Sequence, residues 1–116
     1  MQIMKAEDAD VAHYAQVLSA MGTEPRLRIM RLLLSAYPHG MIVMDIQARL
    51  GIPGSTLSHH LEKLKSVGLA RVHREHTCLW YSANTEILQD LLAFLFEECC
   101  SRSGAVKAEK IFLKCK

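Results

Sequence analysis

The chain has 116 residues, of which 50% are hydrophobic, and it carries a formal net charge of +2 at pH 7. This length suits a single domain, and so small a charge neither demands nor excludes a nucleic-acid partner. Because no run of about 18 apolar residues occurs and the acidic start, MQIMKAEDAD, lacks the order of a secretory signal, we predict a cytoplasmic protein without a membrane span.

Two helices are predicted in the first third of the chain. Apolar residues three or four positions apart indicate an amphipathic helix from about residue 6 to residue 21. Thr23-Glu24-Pro25 begins a second helix, since proline suits the first helical position and keeps the residue before it out of the helical region. The segment from Leu27 to Leu34 has few polar faces, so this helix is predicted to be the buried centre.

Two shorter helices joined by a tight connection follow. The first is predicted from about Met44 to Leu50, and Gly51 is placed to end it in the left-handed conformation. After Ile52-Pro53, a second helix from about Gly54 to Val67 carries leucines four and three positions apart. Two short helices joined in this way, the second one polar on its outer face, indicate a helix-turn-helix.

A β-hairpin and a long helix complete the predicted fold. Residues 69–75 and 78–83 are rich in β-forming side chains and predict a hairpin that makes a wing. Asn84 suits the N-cap of a helix from Thr85 to about Cys100. An apolar seam wide enough for a partner helix runs along it, made by Leu88, Leu92, Leu95 and Cys99 and widened by Ile87, Leu91 and Phe96.

These elements predict a mainly α winged helix-turn-helix fold with a small β-hairpin. Its DNA-binding and dimerisation domain spans residues 1–104, and a C-terminal tail spans residues 105–116. The second helix of the helix-turn-helix begins with small hydroxyl residues, and basic residues follow in it and in the hairpin. Such groups contact phosphates and base edges. The predicted DNA contacts are Ser55, Thr56, Ser58, His59, His60, Lys63, Arg71 and Arg74.

Two other interpretations of this surface stay open. The segment GSTLSHHLEKL also fits an amphipathic surface helix with a solvated polar face. Its histidines also fit metal ligands, although imidazoles that face solvent or phosphate are the preferred interpretation.

The segments LSAMGTEPRLRIMRLLL, DIQARLGIPGSTLSHHLEKLKSVGLA and VHREHTCLWYSAN resemble the ArsR/SmtB family of metal-responsive repressors. The resemblance covers roughly residues 15 to 98, and STLSHHLEKLKSVGL is its most specific part. It implies a homodimer built on the first and last helices, which binds an inverted-repeat double-stranded operator and is released by a bound inducer. DNA binding then needs no cofactor.

Members of this family place their sensor sites at different positions, and three of these sites lack their ligands in this sequence. The segment Met41–Asp45 lacks the cysteines of one arsenic site, residues 85–100 lack the histidines of the zinc site, and Arg26–Ala36 lacks the cysteine of the persulfide sensors. Adjacent cysteines at the end of the last helix, with a third nearby, resemble other arsenic-sensing members. That resemblance implies thiolate ligands for arsenite, antimonite or methylarsenite at Cys99, Cys100 and Cys115.

Alternatives to an arsenic site also stay open. A cytosolic location keeps thiols reduced. Cys99, which lies on the apolar seam, then also fits the role of a small hydrophobic residue. Cys78 is expected to be structural or a passive thiol. A disulfide between Cys99 and Cys100, or between either of them and Cys115, would make a thiol-based redox or reactive-sulfur switch. A zinc-type sensor that adds His13 and a constitutive DNA-binding module are further options. The sequence has no motif typical of an enzyme.

Overall fold

The structure, a computed structural model, describes residues 6–102. In this range five helices and three strands follow one another in the order α1 (Ala6–Met21), α2 (Glu24–Ser35), β1 (Met41–Ile42), α3 (Val43–Leu50), α4 (Gly54–Ser66), β2 (Ala70–Glu75), β3 (Cys78–Ala83) and α5 (Thr85–Arg102). The chain divides between Asn84 and Thr85 into two compact units, of which the second contains α5. The predicted order of elements is confirmed, and the short strand β1 is an addition to it.

The first unit has a core made of large apolar side chains from the four helices α1 to α4 and from Leu69, which directly precedes β2. Those almost completely shielded from solvent are Val17, Ile29, Met30, Leu33, Ile46, Leu57, Leu61, Leu64 and Leu69. The predicted central helix, α2, supplies three of them but leaves Leu27 and Leu34 exposed. It is therefore amphipathic rather than buried on all sides.

The start of α2 lies where the sequence predicts it, and a side chain closes it. Thr23 has an extended backbone, and its Oγ1 accepts a hydrogen bond of 3.4 Å from the backbone N–H of Arg26. Such a cap satisfies one of the amides that a helix leaves without an internal partner. Glu24 in the first turn adds a carboxylate, which the positive end of the helix dipole favours.

The helix-turn-helix consists of α3, a short connection and α4. Gly51 ends α3 with φ 66°, in the left-handed region, and its N–H donates to the carbonyl of Gln47 at 2.8 Å. The predicted left-handed ending at Gly51 is confirmed. Glycine suits this position because the left-handed conformation costs a residue with a Cβ about 1–2 kcal/mol. Ile52 and Pro53 then lead into α4, which begins at Gly54.

A third strand extends the predicted hairpin into an antiparallel sheet of order β1-β3-β2. Met41 pairs with Tyr81 and Ile42 with Trp80, while β2 and β3 pair along their whole length. Gly40 permits this pairing, because it has φ 85° and a Cβ there would lie 2.0 Å from the carbonyl oxygen of Tyr81. The strand β1 joins α3 directly, so it links the hairpin to the helix-turn-helix.

Asn84 directly precedes α5, as predicted for its N-cap, but its side chain does not cap the helix. Its side-chain amide donates instead to the carbonyl of Gly68 at 2.8 Å, and its backbone N–H donates to the carbonyl of Leu69 at 2.9 Å. The side-chain oxygen that would have to cap α5 is buried and has no hydrogen-bond partner in the described part of the chain. Asn84 therefore connects the end of the sheet to the end of α4.

None of the helices within residues 6–102 has both the length and the apolar character that a membrane crossing requires.

Candidate nucleic-acid interface

The outer face of α4 presents the predicted DNA contacts. Leu57, Leu61 and Leu64 are buried, and their spacing of four and three residues fixes which side of the helix faces the core. The opposite side therefore faces solvent, and its exposed residues include Ser55, Thr56, Ser58, His59 and Lys63. The structure brings these five predicted contacts together on one surface.

The N-terminus of α4 is open, in contrast to that of α2. Pro53 occupies the N-cap position, no side chain caps the helix, and no acidic residue lies in the first turn. The amides of Gly54, Ser55 and Thr56 therefore point away from the helix without an internal acceptor. Backbone amides at a helix N-terminus, flanked here by two hydroxyl groups, are the groups that bind a phosphate.

His60 is the predicted contact whose environment differs from the others. It is half-buried, and its Nδ1 lies 3.2 Å from Nη1 of Arg26. Because a guanidinium only donates, Nδ1 accepts this hydrogen bond and the proton of the neutral ring lies on Nε2. Burial, then the charge of Arg26 and then that of His59, lower the pKa of His60 below its usual value. Only Nε2 is thus left to meet DNA, and contact by His60 stays a prediction.

Arg26 is a residue that the sequence analysis missed. Its Nε donates to the carbonyl of Ala20 in the last turn of α1, and its Nη1 reaches His60 in α4. One side chain thus connects the end of α1, the start of α2 and the middle of α4. The two partners lie 6 and 34 positions away along the chain, and the sequence carries no local signal for the longer contact.

Arg71 and Arg74 both lie exposed on β2, where they pair with Ser82 and Leu79 of β3. They are three positions apart, so they point to opposite faces of the hairpin. Beside them, the ring of His73 stacks on Trp80 at 6.3 Å between centroids and lies 3.5 Å from the carboxylate of Glu75. The hairpin therefore offers an arginine on each of its faces.

The predicted sensor cysteines lie at or beyond the end of the described chain. Cys99 lies in α5 with an exposed side chain, and Cys100 follows it in the same helix. Cys115 lies outside the described residues, as does the predicted tail. Cys78 is exposed at the start of β3. Within the described residues no three His, Cys, Asp or Glu side chains come together as a metal site.

The comparisons with known proteins agree with this geometry. Residues 21–73 match the helix-turn-helix domain family. The nodulation protein NolR of Rhizobium meliloti is 30% identical over 110 residues, which cover 95% of this chain and 86% of NolR. ArsR2 of Halobacterium salinarum, named as an arsenical resistance operon repressor, is 34% identical over 79 residues, or 66% of each chain.

Among solved structures, a homodimeric winged helix-turn-helix DNA-binding domain from Mycobacterium bovis superposes with a TM-score of 0.66. The alignment covers 92% of this chain and 97% of that domain, at 22% sequence identity. At this identity the likeness establishes the winged helix-turn-helix fold.

Proposed function

Because the chain belongs to the ArsR/SmtB family of winged helix-turn-helix transcriptional regulators, we propose that it is a homodimeric repressor, bound to an inverted-repeat operator and released by trivalent arsenic. A regulator of this family binds DNA and is not an enzyme. The observation that carries the proposal is the outer face of α4, which combines an uncapped N-terminus with exposed hydroxyls.

In this proposal α4 enters the major groove and the hairpin contacts the flanking backbone. The open amides at the start of α4 and the hydroxyls of Ser55 and Thr56 bind a phosphate and fix the position of the helix. Ser58 and His59 then meet base edges, while Lys63, Arg71 and Arg74 contact phosphates.

Exposed apolar residues on the first and last helices support a homodimer. Val11 and Leu18, seven positions apart in α1, are 51% and 43% exposed, and Leu95 in α5 is 54% exposed. Residues with such spacing share a helix face that a partner helix would cover. A two-fold symmetric dimer presents two copies of α4 in opposite directions, which is why its operator would be an inverted repeat.

The adjacent cysteines Cys99 and Cys100 support arsenic as the inducer. Trivalent arsenic and antimony are soft centres that thiolates bind preferentially. Cys115, flanked by Lys114 and Lys116, would supply a third thiolate whose ionised form these lysines favour. Three thiolates match inorganic arsenite, whereas methylarsenite leaves only two positions for the protein. The name of the relative ArsR2 agrees with this choice of inducer.

The helical form of α5 gives the inducer a means to act. The helix continues through both cysteines to Arg102, and neighbouring residues on a helix point about 100° apart. Chelation by both thiolates would require the last turn to change conformation. If this turn belongs to the dimer interface, arsenic binding favours a dimer in which the two α4 helices no longer fit the operator. DNA must then weaken arsenic binding by the same factor.

Operator release tests the proposal directly. A duplex selected from random DNA by the full chain is labelled, and its fluorescence anisotropy is followed in reductant as arsenite or methylarsenite is added. We expect both compounds to release wild type, arsenite to fail on Cys115→Ser, and both to fail on the double variant Cys99→Ser/Cys100→Ser.

Cys78→Ser is the matched control, since it removes an exposed thiol from the hairpin and should leave release unchanged. If neither arsenical releases wild type, the arsenic part of the proposal is wrong. Release by oxidant without an arsenical would then favour the thiol-based redox switch.

A further inference from the structure

A hollow of about 290 Å³ lies where α1, the start of α2 and the second half of α4 meet. All of its lining belongs to the first compact unit, and it is made by Gln16, Ser19, Ala20, Arg26, Lys63, Ser66 and Val67. The hollow is separate from the hydroxyl-rich start of α4 and from the cysteines. It holds enough volume for a small polar ligand.

The hollow is positively charged. Arg26 and Lys63 both line it, and none of its lining residues is acidic. Within the described residues neither cation forms an ion pair, whereas the neighbouring Lys65 lies 3.9 Å from the carboxylate of Glu62. Two cations that share a concave surface without a carboxylate make a site for an anion.

The hydrogen-bond donors in the hollow are only partly used. Arg26 employs its Nε and Nη1, which leaves its Nη2 amino group without an acceptor in the described part of the chain. Lys63 likewise donates to no described residue, and Ser19, which carries a hydroxyl, also lines the hollow. Ser66 differs, because its hydroxyl already donates to the carbonyl of Lys63. The groups that remain all favour a ligand with several acceptor oxygens.

We infer that this hollow binds a phosphate group, held by Nη2 of Arg26 and Nζ of Lys63 with a hydrogen bond from Ser19. Arginine and lysine together are common phosphate ligands, and hydrogen bonds between charged groups are about twice as strong as neutral ones. Arg26 is already held in place by Ala20 and His60, so little of its freedom would be lost on binding. The inference depends neither on operator release nor on arsenic.

Two sources of phosphate fit this chemistry: a free anion that acts as an effector, and the backbone of bound DNA. Either phosphate would act on α4, because Lys63 belongs to this helix and Arg26 contacts it through His60. His60 also provides a reporter. The charge of Arg26 helps to lower its pKa, so a bound phosphate beside Arg26 must raise that pKa.

The test follows the pKa of His60 by NMR at a series of inorganic phosphate concentrations, in the full chain without DNA. Sodium chloride of matched ionic strength is the reference. We expect a saturable rise with phosphate that chloride does not reproduce. Lys63→Met should weaken phosphate binding by about tenfold, the loss expected for one charge-assisted hydrogen bond.

Lys65→Met is the matched control. It removes the same charge from the same helix two residues further on, and the side chain of Lys65 does not line the hollow. Equal effects of the two lysine variants would mean general screening and would overturn the inference. So would the absence of a rise at saturating phosphate.

A duplex added to the wild-type chain separates the two sources. If DNA alone raises the pKa of His60 and displaces phosphate, the hollow receives the DNA backbone. If phosphate binds equally well with DNA present, the ligand is a free anion.

Discussion

The N-termini of α2 and α4 are built in opposite ways. At α2, the Thr23 hydroxyl closes the helix and Glu24 adds a negative charge. At α4, Pro53 provides no cap and the first turn has no acidic residue. A capped start contributes to folding stability, whereas an open start leaves amides for an external anion. The chain therefore satisfies the start of α2 with its own side chains and leaves the start of α4 open to an external anion, which in our proposal is a DNA phosphate.

The two starts are nevertheless connected through one residue. The amide that Thr23 caps belongs to Arg26, and the side chain of Arg26 reaches His60 on α4. The cap at the start of α2 therefore helps to position Arg26, whose side chain contacts α4. Variants at the two ends should separate effects on DNA affinity from effects on stability.

The largest expected effect comes from a charge at the open start. Ser55→Glu places a carboxylate where the proposal puts a phosphate, so we expect operator affinity to fall roughly hundredfold. Folding stability should stay the same or rise slightly, because a negative charge at a helix N-terminus is favourable. Anisotropy with labelled operator and urea unfolding measure the two quantities.

Ser35→Glu is the control for the change in net charge, because Ser35 is exposed at the far end of α2. If the two variants lose the same affinity, the open start of α4 has no special role.

The opposite result is expected at the closed start. Thr23→Ala removes the hydroxyl that caps α2, and we expect the free energy of unfolding to fall by about 1 kcal/mol. Urea unfolding at fixed protein concentration measures this, since dimerisation would make stability depend on concentration. Thr23→Ser keeps the hydroxyl and should retain most of the stability. A loss of equal size in both variants would contradict a role for the cap.

The smallest effect concerns the connection between the two starts. Because the pKa of His60 is lowered in the fold, the unfolded chain binds this proton more readily than the folded chain. The free energy of unfolding should therefore fall as the pH drops below the unperturbed value of 6.5, and protonation of Nδ1 would also break the contact with Arg26.

His60→Gln should flatten this part of the pH profile, since it removes the titrating group. Urea unfolding over about pH 5 to 8, the range in which histidine changes charge, measures it. Parallel profiles for the wild type and the variant would show that His60 does not contribute.

Local signals in the sequence were sufficient for most of the fold. The leucine spacing of α4, the glycine that ends α3 and the proline at the start of α2 each depend on residues a few positions apart, and the structure confirms them. The side-chain cap by Thr23 was not predicted. The strand β1 was missed because two residues have no periodicity, and its partner lies some 40 positions away in β3. Asn84 precedes α5 as predicted, but its side chain does not cap the helix, because its Nδ2 donates to the carbonyl of Gly68, 16 positions earlier, and this bond sets the orientation of the side chain.

In the candidate site too, features that depend on nearby residues were predictable, and those that depend on distant residues were not. The outward side of α4 follows from helical periodicity, so the exposure of Ser55, Thr56, Ser58, His59 and Lys63 was predictable. The environment of His60 was not, because it is set by an arginine 34 positions away. The roles of these residues toward DNA, and of the cysteines toward arsenic, stay predictions.

The close approach of Gly40 to Tyr81 has a consequence for how DNA is distinguished. It lets β1 pair with the middle of β3, and β1 runs directly into α3, so the hairpin is connected to the helix-turn-helix through β1 as well as through the chain that joins α4 to β2. These two connections restrict how far the hairpin can move relative to α4. A duplex whose groove width differs from the separation between α4 and the hairpin must deform to bind, and the energy of deformation depends on its sequence. If α4 and the hairpin bind DNA together as proposed, the protein would select base pairs that no side chain touches.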